Sequence, residues 1–125
     1  MPDAARWLIG GGALVMALGV ALGAISSHAF KGAAHPEAAR LLQTAVQYQL
    51  VHGLGILLCG VLARNAVSPW VLAAGLLLLV GVLLFCGSLW HLALRNQSLG
   101  PIAPLGGIAF IAGWVALAVY AFAQR

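Results

Sequence analysis

Polar and apolar positions in this chain are segregated over long intervals rather than alternating residue by residue. Charged side chains stand only at Asp3, Arg6, Lys31, Glu37, Arg40, Arg64, Arg95 and Arg125, so 7–30, 41–63, 65–94 and 96–124 carry no charge. A helix crossing ~30 Å of hydrocarbon needs ~20 predominantly apolar residues, and each interval supplies one crossing. Main-chain groups in lipid must bond within the protein, which leaves helices or closed barrels, and the period-two alternation of a barrel is absent. The pattern predicts an all-α integral membrane four-helix bundle in one domain, 1–125. Its spans fall at about 7–30, 45–63, 70–93 and 105–123.

The breaks between spans are short. Residues 64–69 join the second span to the third, and 96–104, with Gly100, Pro101 and Pro104, join the third to the fourth. Trp7, Trp70, Trp90 and Tyr120 fall near predicted span ends, where amphipathic rings favour the interface. Trp114 lies inside the fourth span instead. Ahead of the second span, Glu37, Arg40, Thr44 and Gln47 share one helical face and Leu41, Leu42, Ala45 and Val46 the other. This pattern predicts a short amphipathic helix at about 36–48 lying in the interface before the span. One continuous helix from Pro36 to about Ala63 satisfies it equally. At the N-terminus, the apolar run 7–25 exceeds the ~7–15 residues of a signal-peptide core, so 1–30 is read as an anchored span.

Composition narrows the function classes. Hydrophobic residues make up 63% of the 125 and charged residues 6%, too few to clothe a soluble globule, whose usual charged share is ~25%. The sequence pI is about 9.8, but the six Lys and Arg are scattered singly and form no basic stripe, so nucleic acid is not an expected partner. With four crossings both termini share one face of the membrane. Arg6, Arg64 and Arg125 then lie on that face and Lys31, Arg40 and Arg95 on the other, an even split that assigns no orientation.

Depth is more informative. His28, His35, Tyr48, His52, Ser88 and His91 all fall in the half of the membrane away from the termini, where the first three helices are expected to converge. The candidate polar or ligand cluster is therefore His28, Tyr48, His52, Ser88 and His91. Tyr48 and His52 share a helical face, and an ionisable residue inside a span is a functional candidate. The alternative for His52 is a neutral imidazole bonded to Ser, Gln or Tyr of a neighbouring helix. For His28 and His91 it is contact with headgroups or water. Imidazoles on facing helices can hold haem or metal, but the only acids, Asp3 and Glu37, lie outside the spans. No catalytic residue, metal or cofactor is predicted. Cys59 and Cys86 differ in expected depth by something like 15 Å, too far for a disulfide. Among 16 glycines, Gly19 and Gly23 form a GxxxG, and Gly106 and Gly107 offer close approach on the fourth helix.

Four segments carry a resemblance: 19–31 (GVALGAISSHAFK), 44–52 (TAVQYQLVH), 84–94 (LFCGSLWHLAL) and 100–114 (GPIAPLGGIAFIAGW). In this order they resemble the small membrane-protein family typified by bacterial YgdD and YwdK, whose eukaryotic relatives are called transmembrane protein 256. His28, Tyr48, Gln49 and His52 match the family pattern. Ser26 and Ser27 depart from its Gly-Ala before the first histidine, Phe85-Cys86-Gly87-Ser88-Leu89-Trp90 stands for Phe-Ser-Gly-Ser-Leu-Tyr, and Ala103 replaces a Thr. The resemblance implies a four-helix integral membrane protein, in bacteria of the inner membrane, and no established reaction. The expected function is non-enzymatic, through helix packing, oligomerisation, or binding of membrane lipid or another membrane protein. The alternatives are a small-ligand, ion or proton site at the polar cluster and, more remotely, a haem- or metal-binding bundle.

Overall fold

The computed structural model describes residues 1–29 and 36–123. Lys31, His35 and Arg125, which entered the depth and charge expectations, lie outside the described residues. Four long helices follow one another: α1 (Asp3–Ala29), α2 (Pro36–Leu62), α3 (Pro69–Arg95) and α4 (Ile102–Ala123). All four are long and apolar enough to cross a membrane. The helices start and end beyond several of the predicted spans, because a helix continues into the interface for as long as its residues permit.

Residues 36–62 form one helix, not an interfacial segment followed by a separate span. No glycine or proline interrupts 37–52, so nothing breaks the hydrogen-bond ladder. Its first turns keep the amphipathic pattern: Ala38, Leu42 and Ala45 are buried, whereas Glu37, Arg40 and Gln43 are exposed. Arg40 Nε donates to Glu37 Oε2 at 3.1 Å on the open side.

Local chemistry sets the remaining boundaries. Ser68 caps α3, its Oγ accepting from Trp70 N–H at 3.2 Å, with Pro69 in the first turn where its missing N–H is harmless. Asn96 ends α3 in a left-handed conformation (φ 52°), its N–H bonded to Leu92 O at 2.8 Å. Within α3, Val82–Cys86 form a π turn. Buried residues at 74, 78, 82 and 86 are spaced by four. On a regular α-helix such steps drift by about 40° each, and the wider π turn takes up that drift. Val71 and Ala93 thus stay inward with them.

The helices pair in antiparallel fashion. α1 packs on α2 through Gly12, Gly53 and Gly60. A Cβ on Gly12 would stand 2.8 Å from Gly53 O, and one on Gly60 2.6 Å from Ile9 N. α4 packs on α3 through Gly81, Gly106 and Gly113. A Cβ on Gly106 would come within 2.9 Å of Phe85 Cα, and one on Gly113 within 2.8 Å of Leu78 Cδ2. Small residues allow this approach in a medium that gives helices no hydrophobic drive to associate. α2 and α3 form the centre, with Ile56, Cys59, Val71, Ala74 and Leu78 almost fully buried.

Of the four expected packing glycines, Gly19 and Gly23 face Leu50 and Val46 side chains at 3.0 and 3.2 Å from an added Cβ, and Gly106 meets the Phe85 backbone. Gly107 differs from expectation. It meets nothing within 4 Å, because one helical step turns it about 100° away from α3. Cys59 and Cys86 are free and buried. Cys86 reaches Ala45 O, so the two thiols sit at α2 levels about 20 Å apart.

Candidate functional site

The chemistry-bearing residues in the spans concentrate on α2. Tyr48 and His52 are one turn apart, and their rings lie near-parallel with centroids 5.7 Å apart. His52 is only 6% exposed. Its Nδ1 lies 2.7 Å from Tyr48 O. A carbonyl oxygen can only accept, so Nδ1 carries the proton. In the neutral ring Nε2 is then a bare acceptor, and among the described residues it has no hydrogen-bond partner. The expected bond to a neighbouring helix is replaced by a bond to the preceding turn of α2, since the i−4 carbonyl lies within reach of the ring.

Aromatic rings from two other helices enclose this pair. Phe110 of α4 stacks on His52 with centroids 3.6 Å apart and 19° between planes. Trp114, one turn further along α4, lies 5.7 Å from His52 at a tilt of 57°. Phe85, in the π turn of α3, packs on Tyr48 at 4.6 Å. Glycines make room for the rings: a Cβ on Gly55 would stand 2.9 Å from Trp114 Cη2, and one on Gly81 would strike the Phe110 ring. Beside the cluster lies an open recess of about 460 Å³ lined by Gln47, Tyr48, Leu50, Val51 and His52. Tyr48 and Val51 are 41% and 56% exposed, so the recess opens on the outer surface of the bundle.

The other predicted cluster residues stand apart. His28 is exposed on the last turn of α1, and His91 is half-buried on α3. Neither ring stacks on Tyr48 or His52, and neither residue lines the recess. Ser88 is buried, and its Oγ has no partner among the described residues. The convergence therefore involves α2, α3 and α4 rather than the first three helices. Among the described residues, no three His, Cys, Asp or Glu side chains are grouped to hold a metal ion.

Residues absent from the predicted cluster complete the arrangement. Phe110 and Trp114 form the wall opposite His52; the sequence signal was a tryptophan at mid-span, four residues after a phenylalanine. Gln49 is buried, and its Nε2 donates to Val15 O of α1 at 3.1 Å. Gly19 leaves space for that reach, with Gln49 Cγ 3.4 Å from where its Cβ would sit.

A family model described as "Protein of unknown function (DUF423)" matches residues 22–107. The chain belongs to this family. Over 112 residues it is 41% identical to a UPF0382 membrane protein of Staphylococcus haemolyticus, covering 89% of this chain and 91% of that one. It is 38% identical to the UPF0382 membrane protein YwdK of Bacillus subtilis, over 88% of this chain and 91% of the relative. With the UPF0382 inner membrane protein YgdD of Escherichia coli the identity is 36%, over 80% and 77%. No solved structure matches. The family match and the four long apolar helices make this a membrane protein of the UPF0382 family.

Proposed function

We propose that this chain is a multi-pass inner-membrane protein without catalytic activity, acting through helix packing with a second copy, another membrane protein or lipid. One observation carries the reading. Beyond the first turns of α1 and α2, the side-chain donors described within the helices all bond main-chain carbonyls. Ser26 and Ser27 donate to Gly23 O, Gln49 to Val15 O, His52 to Tyr48 O and Cys86 to Ala45 O. Polar groups used in this way brace helices; none is set against a second side chain as an acid–base or nucleophile–base pair would be. The two carboxylates, Asp3 and Glu37, sit in first turns beside Arg6 and Arg40. The inner membrane follows from the relatives named as inner membrane proteins.

Crosslinking, and native mass spectrometry of the protein extracted from its membrane into a lipid-like detergent, test this. A dimer, a copurifying membrane protein or retained lipid is the expected result. A strict monomer free of lipid and partner contradicts it.

A second reading is favoured by the recess beside His52. An uncommitted imidazole acceptor beside an opening lined by Tyr48 and the apolar Leu50 and Val51 is suited to binding a small molecule, and its volume lies within the ~300–1,000 Å³ of ordinary ligand sites.

A further inference from the structure

We propose that the Tyr48–His52 recess binds a membrane-dissolved molecule with an uncharged phenol or quinol head, whose hydroxyl donates to His52 Nε2. This rests on the second reading above and names the ligand chemistry that it leaves open. Three features of the site select the class.

The first is the direction of the missing hydrogen bond. Tyr48 O holds the proton on Nδ1 at 2.7 Å, so Nε2 offers a lone pair and calls for a donor. A ketone, ether or ester supplies none, whereas a hydroxyl does. The second is charge. Residues 41–63, 65–94 and 96–123 contain no Asp, Glu, Lys or Arg, so nothing in the recess neutralises a charged head. An unpaired charge is expensive at this depth. The third is shape and access. Of the residues that line the recess, Tyr48 and His52 carry rings, near-parallel with centroids 5.7 Å apart. Phe85 packs on Tyr48, and Phe110 and Trp114 on His52, from the neighbouring helices and hold these rings in place, so a planar head can meet them in offset or edge contact. Val51 and Tyr48 form an exposed rim, on the surface that meets hydrocarbon when the helices span a membrane. A ligand reaching it therefore arrives through the bilayer and carries an apolar body.

The test uses two probes of one shape, para-octylphenol and its methyl ether, titrated into the full-length protein in phosphatidylcholine nanodiscs. Ring-nitrogen NMR of labelled histidine, with the His52 signals assigned by their loss in His52→Phe, reads the acceptor directly. The expected result is a saturable shift of the Nε2 resonance with the phenol and at least about five-fold weaker binding of the ether, the scale of one net hydrogen bond. In His52→Phe, which keeps a ring to stack on Phe110, the preference for phenol over ether disappears. In Tyr48→Phe it persists. Equal binding of both probes to the unsubstituted protein overturns the hydroxyl-donor proposal and leaves a recess that takes apolar ligands. Loss of the preference in Tyr48→Phe but not in His52→Phe overturns the assignment to His52. Absence of saturable binding by either probe overturns the proposal and the ligand reading together. The two-probe comparison on the unsubstituted protein decides the matter even if His52→Phe fails to fold.

Discussion

Single glycines in this protein carry unequal burdens. Gly106 and Gly107 are neighbours with the same composition cost, yet a Cβ at Gly106 would press on the Phe85 main chain and one at Gly107 would meet nothing. Main chain cannot swing aside as a flexible side chain can, so α3 and α4 would have to separate. Gly106→Ala is expected to lower stability by about 1–3 kcal/mol, the usual range for overpacking. Gly107→Ala should change it by less than about 0.5 kcal/mol or raise it slightly, since alanine favours the helix. Thermal unfolding in one detergent, comparing the two variants, checks this; equal losses would mean that the α3–α4 approach is not where the structure places it. Gln49 illustrates the other kind of residue, a polar group whose value lies in an inter-helix bond to Val15 O. Its sequence position showed only a polar side chain in the second helix. The bond required knowing that Gly19 of α1 lies opposite.

Among the elements, α3 is the irregular one. Its π turn at Val82–Cys86 behaves as one residue inserted into an α-helix, a form of irregularity often found near functional sites. Here it keeps Cys86 against Ala45 while presenting Phe85 to Tyr48. Deleting Leu83, which is 65% exposed, should convert the turn to regular α-helix and leave the faces on either side in register. Deleting Ile111 of α4, equally exposed at 66%, has no such reserve. It turns everything beyond it by about 100° relative to what precedes, and detaches Gly113 from Leu78 and Trp114 from Gly55. The Leu83 deletion is expected to run as a folded, monodisperse species in size-exclusion chromatography, and the Ile111 deletion to aggregate. The reverse outcome would mean that the π turn is not an insertion. Residues 70–87 are apolar throughout, so the sequence does not mark 74, 78, 82 and 86 as one face. Only the burial of all four positions shows the four-residue spacing that the helix has to accommodate.

At the scale of the whole molecule, α1 and α4 flank the α2–α3 centre, and successive helices run in opposite directions. Both ends of the chain are therefore expected on one side of the membrane and the α3–α4 connection on the other. Asp3→Cys and Ala123→Cys should react with an impermeant maleimide from the same side of sealed vesicles, and Gln97→Cys from the opposite side. The native thiols Cys59 and Cys86 are buried and should contribute little background. Labelling of the two ends from different sides would require a helix that does not cross. The experiment also assigns the orientation that an even division of Lys and Arg leaves open.

The amino-acid sequence by itself determined that this is a helical membrane protein. Excluding charge from long intervals is a one-dimensional property, and water and lipid sort such intervals without reference to what the helices touch. It also determined that Tyr48 and His52 share a face, because helical periodicity places residues four apart together. The tertiary structure decided what surrounds them. Phe85, Phe110 and Trp114 come from elements 33 or more positions away, and in a chain that is apolar almost everywhere no hydrophobic stripe indicates which face of a helix turns inward. The same degeneracy grouped His28 and His91 with His52 in one candidate cluster. All three belong to one half of the membrane, but that coordinate does not fix the rotation of each helix about its own axis, which is set by which glycines let which backbones approach.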